Sequence, residues 1–130
     1  MSGHVGIVLV SHSATLAAGL RELLGELASA EVRVVVAAGT EDGGLGSSYE
    51  LIARAVAAAD SGAGAVMLPD LGSSVLTALT VLEDQPRPGV VLVDAPFVEG
   101  AVAAAVTAST GAALAEVVAA AEEARGFRKL

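Results

Sequence analysis

Four short apolar runs punctuate the chain: Val5–Val10, Val32–Ala37, Ala63–Leu68 and Val90–Val93. They are rich in β-branched residues and continuous rather than alternating, the pattern of strands buried on both faces of a parallel sheet. Between them, Leu16, Leu20, Leu23, Leu24 and Leu27 share one helical face, as do Ile52, Val56 and Ala59 in the second connection and Val75, Leu79 and Leu82 in the third. Ser47, followed three residues later by Glu50, predicts a capping box for the second helix. Beyond the fourth run, Val98, Val102 and Val106 outline a helix. Ser109–Gly111 interrupts it, and Leu114, Val117, Val118 and Ala121 outline another. The order βαβαβαβαα predicts one α/β domain over residues 1–130, an open doubly wound, mainly parallel four-stranded sheet with helices on both faces.

Such a sheet gathers its strand-to-helix loops on one edge, because crossover connections are right-handed, and ligands collect there. Four loops are expected at that edge: Ser11-His12-Ser13, Gly39–Gly44, Pro69–Ser74 and Asp94-Ala95-Pro96. They supply one imidazole, strand-end carboxylates at Asp70 and Asp94, several hydroxyls and many glycines, but no lysine or arginine.

Composition narrows the chemistry. Apolar residues make up 54% of the chain and aromatics 2%, so the core is built from Ala, Val and Leu. Cysteine is absent, which removes disulfides, thiolate nucleophiles and thiolate metal sites. The net charge of −8 disfavours nucleic acid and anionic membrane as partners. No run is long and apolar enough for a membrane span, and Met1–His4 offers no basic leader region, so a cytoplasmic protein is expected. The one lysine, Lys129, lies in a charged tail, Glu122–Leu130, that is expected to fray. A P-loop therefore lacks its lysine, and a response-regulator site lacks both its acidic pair and its late lysine. A dinucleotide fingerprint needs its glycines after the first strand, where this chain has none, and a hydrolase nucleophile elbow does not fit Val10-Ser11-His12-Ser13. No spacing supports a metal site.

What remains is a neutral imidazole acting as a nucleophile toward phosphorus. One ring nitrogen must be free while the other gives its proton to an acceptor, for which Asp70 is placed. Phosphoryl oxygens would be met by N–H groups at helix N-termini, near Gly72, and by the hydroxyls of Ser13, Ser73 and Ser74. Gly43, Gly44 and Ser47 are candidates for loop or partner contact. Each residue also has a plain structural role to play: His12 as a hydrogen-bonded loop residue, Asp70 as a helix cap worth about 1 kcal/mol, Asp94 as a brace of the Pro96 turn, and Gly43, Gly44 and Gly46 as loop formers.

The segments GIVLVSHS (6–13), GTEDGGLGSS (39–48), LPDLGSSVLTALTVLE (68–83) and DAPFVEGAVAAAV (94–106) together resemble the dihydroxyacetone kinase phosphotransfer subunits, relatives of the mannose-family enzyme IIA domains of the bacterial phosphotransferase system. The likeness runs from Gly6 to about Ala121. It implies a flavodoxin-like strand order 2-1-3-4 and a homodimer. It implies that His12 accepts a phosphoryl group, through Nε2, from the phosphohistidine of the carrier HPr, with phosphoenolpyruvate as first donor. His12 would pass it to ADP on a partner kinase subunit, which phosphorylates dihydroxyacetone held on a third subunit, while Asp70 orients the imidazole. No cofactor is implied on this chain itself beyond the phosphohistidine intermediate. Two departures stand out: Leu76-Thr77 replaces the Met-Asn common in relatives, and the carrier domains fused in many relatives are expected here as separate proteins. A sugar-specific enzyme IIA and a non-catalytic regulatory binding module are the alternatives.

Overall fold

The computed structural model describes residues 3–130; Met1 and Ser2, part of the stretch weighed as a leader, lie outside them. Four parallel strands, β1 (Gly6–Ser11), β2 (Val34–Ala38), β3 (Ala65–Pro69) and β4 (Val90–Leu92), form one sheet in the order β2-β1-β3-β4. Helices α1 (Ala14–Leu27), α2 (Tyr49–Ala59), α3 (Gly72–Asp84), α4 (Phe97–Ser109) and α5 (Leu114–Glu123) connect and follow them. This is the α/β architecture and strand order expected, with strand ends shifted by at most two residues.

Alternation along β1 divides the core. Ile7 and Leu9 pack with Leu20, Leu24, Ala101, Ala104 and Val117, from α1, α4 and α5. Val8 and Val10 face the other way, onto Ile52, Val56 and Ala78 of α2 and α3. All six β1 residues are buried, so the pleat serves two hydrophobic layers at once.

Several helices bury only part of the expected face. In α1, Leu20 and Leu24 point inward with Ala17, whereas Leu16, Leu23 and Leu27 are exposed. In α4 the inward face is Gly100, Ala101, Ala104, Ala105 and Ala108, while Val98 and Val106 face out. In α3, Ser74, Ala78 and Val81 are buried and Leu79 is exposed. The cause is packing distance. Small residues let a helix lie close to the sheet, and a Cβ added at Gly100 would stand 2.8 Å from the Ala95 Cβ and 3.2 Å from Leu68. The α2 face, Ile52, Val56 and Ala59, lies inward as expected.

The tail is tied down. After α5, a single 3₁₀ turn (Ala124–Gly126) brings Arg125 Nη1 to 2.9 Å from Asp94 Oδ2 and carries the chain on to Lys129, whose Nζ is 2.9 Å from Glu99 Oε2. Basic side chains thus do reach the loop edge, although none belongs to the four loops themselves. Among the described residues, no helix is long and apolar enough to cross a membrane.

Candidate functional site

The chain leaves β1 and crosses to β2 on one side, then returns to place β3 on the other. The ends of β1 and β3 are therefore neighbours at the point where the winding reverses, the place where doubly wound sheets open a crevice. His12 follows β1, and Asp70 follows β3.

Asp70 receives five hydrogen bonds. Its Oδ2 accepts from the Ser11 hydroxyl at 2.8 Å and from the His12 backbone N–H at 3.0 Å. Its Oδ1 accepts from the Leu71 N–H at 2.7 Å and the Ser74 hydroxyl at 2.8 Å, and lies 2.9 Å from His12 Nδ1. The Asp70 side chain is 7% exposed, the His12 side chain 23%. Burial alone would push the carboxyl up, but the donors from His12, Ser11 and Ser74 outweigh it and hold Asp70 down at about 2. The group is ionised throughout the physiological range and can only accept. His12 Nδ1 must then carry the ring proton, which leaves a lone pair on Nε2 when the imidazole is neutral. Nε2 meets the hydroxyl of Ser73 in the first turn of α3.

Ser11 is the residue that sequence reasoning missed. The two polar side chains fully buried among the described residues, Ser11 and Ser74, both donate to Asp70. The available signal was a serine ending a strand whose other positions are all buried and apolar, since a buried hydroxyl requires a partner. Ser13 is the N-cap of α1, accepting from the Leu16 N–H at 3.2 Å, and its own N–H bonds Ser11 Oγ at 3.1 Å. Gly72 opens α3, where N–H groups have no partner within the helix.

The loop after β2 enters the site by its far end. Gly46 N–H donates to the His12 carbonyl at 3.1 Å, and Ser47 Oγ lies 3.1 Å from Ser74 Oγ. The capping box predicted from Ser47 and Glu50 is not formed; Ser48 caps α2 instead, accepting from the Leu51 N–H. Gly43 and Gly44 belong to an exposed turn closed on Thr40 and Asp42. The positive φ of Gly43, +89°, suits glycine alone. Asp94 stays apart as well: it neither caps α4 nor braces Pro96, but pairs with Arg125. Asp70 likewise does not cap α3, whose N-cap is Leu71.

An open groove of about 470 Å³ adjoins Asp70 between α3 and the ends of β3 and β4. Its lining carries two carboxylates, Asp70 and Asp94, and no lysine or arginine, the wrong charge for a nucleotide phosphate. Among the described residues, no three His, Asp or Glu side chains group closely enough to hold a metal ion.

The chain matches the EIIA-man family model, PTS system fructose IIA component, over residues 6–118. It is 37% identical over 105 residues to the phosphoryl donor subunit DhaM of PEP-dependent dihydroxyacetone kinase 2 from Listeria innocua serovar 6a, spanning 78% of this chain and 84% of the relative. The corresponding subunit of Providencia stuartii is 32% identical over 126 residues, covering 92% of this chain but 26% of that longer protein. The crystal structure of EF1359, a protein of unknown function, matches with a TM-score of 0.87 at 34% identity, covering 100% of this chain and 99% of the other. The chain therefore belongs to the EIIA-man family, on the branch of the dihydroxyacetone kinase phosphoryl donor subunits.

Proposed function

We propose that this protein is the phosphoryl-carrier subunit of a phosphoenolpyruvate-dependent dihydroxyacetone kinase. His12 accepts a phosphoryl group from phospho-HPr and delivers it to ADP on a partner kinase subunit. The observation that carries the reading is the pairing of His12 Nδ1 with an ionised, five-fold hydrogen-bonded Asp70, which directs the lone pair of Nε2 outward at the loop edge. In the first step the Nε2 lone pair attacks phosphorus in line and the phosphorus–nitrogen bond to the donor imidazole breaks. The new phosphohistidine keeps its proton on Nδ1, donated in a hydrogen bond to Asp70. In the second step a terminal oxygen of ADP attacks, the Nε2–phosphorus bond breaks, and the lone pair returns to Nε2.

The surroundings suit a carrier rather than a trap. The donor that meets Nε2, the Ser73 hydroxyl, is neutral, and so are the groups assigned here to the phosphoryl oxygens, the Ser13 hydroxyl and the Gly72 amide that opens α3. Arg54, Arg125 and Lys129 near the edge are each paired with a carboxylate, Glu41, Asp94 and Glu99 respectively. Without a cation beside it, the phosphoryl group is positioned but not held tightly, so transfer onward stays favourable. The acidic groove supports placing ADP on the partner. Exposed Leu45, Leu71 and Leu76 near the edge offer apolar contact to protein partners, HPr and the ADP-binding subunit. A homodimer and a cytoplasmic setting complete the proposal.

Incubation with phosphoenolpyruvate, enzyme I and HPr should add one acid-labile phosphoryl group, read by intact mass. No adduct on the wild type, or an undiminished adduct on His12→Ala, overturns the relay. The test also separates it from a non-catalytic regulatory module. Adding the kinase subunits, ADP and dihydroxyacetone should discharge the adduct, which a sugar-specific enzyme IIA would retain.

A further inference from the structure

The hydrogen bonds around Asp70 continue outward by one more residue, and their direction is fixed. Ser74 Oγ, fully buried, has three polar neighbours: Asp70 Oδ1 at 2.8 Å, Ser47 Oγ at 3.1 Å and His12 Nδ1 at 3.2 Å. It owns one proton. An ionised carboxylate cannot donate, so that proton goes to Asp70. Nδ1 already carries a proton directed at Asp70, so it offers no lone pair to Ser74. The remaining lone pairs of Ser74 therefore accept, and Ser47 must be the donor. The chain runs Ser47 O–H to Ser74 Oγ, Ser74 O–H to Asp70 Oδ1, with Asp70 also taking the Nδ1 proton of His12.

From this we infer that Ser47, at the far end of the glycine-rich loop, is a positioning residue for the imidazole. Its hydroxyl keeps the single proton of Ser74 on Asp70, and so keeps Oδ1 aligned between Ser74 and Nδ1. Without that donor, Ser74 is free to turn and compete with the carboxylate for the Nδ1 proton. The inference rests on reading His12 as the phosphoryl acceptor.

The role of the side chain is separable from the fold of the loop. The loop is anchored by its backbone, through Gly39 N–H to the Ser11 carbonyl at 3.0 Å, Gly46 N–H to the His12 carbonyl at 3.1 Å and a parallel bridge between Gly39 and Ser47. Removing the Ser47 hydroxyl leaves all three in place. Ser48, not Ser47, caps the helix that follows.

The experiment is a double-mutant cycle on the full chain with two readouts. Ser47→Ala should slow phosphorylation of His12 by phospho-HPr about fivefold, the scale of one lost hydrogen bond. In the unphosphorylated protein, the Nδ1–H ¹H and ¹⁵N shifts of the imidazole should move toward those of a weaker hydrogen bond, as the proton is shared between Asp70 and Ser74. Ser47→Thr, which keeps the hydroxyl, should restore both. In a Ser74→Ala background, Ser47→Ala should add nothing, because the chain is already cut. Unchanged imidazole shifts in Ser47→Ala, losses that add in the double variant, or a Thr variant as impaired as the Ala variant would each overturn the inference. The imidazole shifts need no phosphoryl donor. A wild type that fails to phosphorylate would thus sink the relay while leaving Ser47 to be judged on its own.

Discussion

Two aspartates end neighbouring strand regions on the same edge of the sheet, and their surroundings give them opposite characters. Asp70, past β3, lies between two buried hydroxyls, two backbone amides and an imidazole. Asp94, past β4, is 86% exposed and meets only the guanidinium of Arg125. The difference follows from sheet position. Beside β1, flanked on both sides, a carboxylate is enclosed by the next loop and the next helix. Beside the three-residue edge strand β4, it faces water. An enclosed carboxylate fixes a neighbour's proton, whereas an exposed one holds a cation weakly.

The comparison can be broken most sharply at Asp70. Asp70→Asn should slow phosphorylation on the order of ten-thousandfold, the scale set when an aspartate that fixes a histidine tautomer becomes an amide. Rapid-quench measurement of the phosphoprotein checks it, and a loss below tenfold would make Asp70 a bystander. Asp70→Ala should also lower stability by about 2–3 kcal/mol, because the buried hydroxyls of Ser11 and Ser74 lose their acceptor. That exceeds the single helix cap expected from sequence, and urea unfolding measures it.

Acid sharpens the same contrast. The Asp70 carboxyl titrates near 3.8 when unfolded and at about 2 when folded, so the native state binds its proton less readily. Its stabilisation is complete above the unfolded value and is lost as pH falls through about 2. Urea midpoints should drop between pH 4 and pH 2 in the wild type, and less steeply in Asp70→Asn. The smallest effect belongs to the other aspartate. Asp94→Asn should leave the phosphorylation rate within twofold and stability within about 0.5 kcal/mol, as for an exposed pair.

The frame of this fold was legible because β1 and β3 read as unbroken apolar runs, and such runs place their loops on one edge. His12 and Asp70 stood out as the imidazole and one of two carboxylates there. Asp70 is singled out over Asp94 by its place at the end of the third apolar run, and the resemblance adds the strand order that sets that run beside the first. The inward faces of α1, α3 and α4 are legible only in part, through Leu20, Leu24, Leu82 and Val102, because size is no guide to burial here. In a core this poor in aromatics, alanines make the close contacts, and leucines such as Leu16 and Leu79 are left outside. Adjacent serines defeated the reading at residues 47 and 48, since both offer a cap and only the fold decides which one takes it. The tail was read as frayed because pairing of Arg125 with Asp94 spans 31 residues of sequence separation.

That pairing of cations at the edge has a use in kinetics. Salt weakens exposed ion pairs within this chain, but the bonds that set His12 are short, enclosed and largely insensitive to it. The chain otherwise presents a net negative surface to its surroundings. Raising ionic strength should therefore slow phosphoryl arrival from any partner that approaches with a basic face, while the imidazole ¹⁵N shifts stay fixed. A salt titration becomes a way to measure the approach of the partner separately from the readiness of the nucleophile.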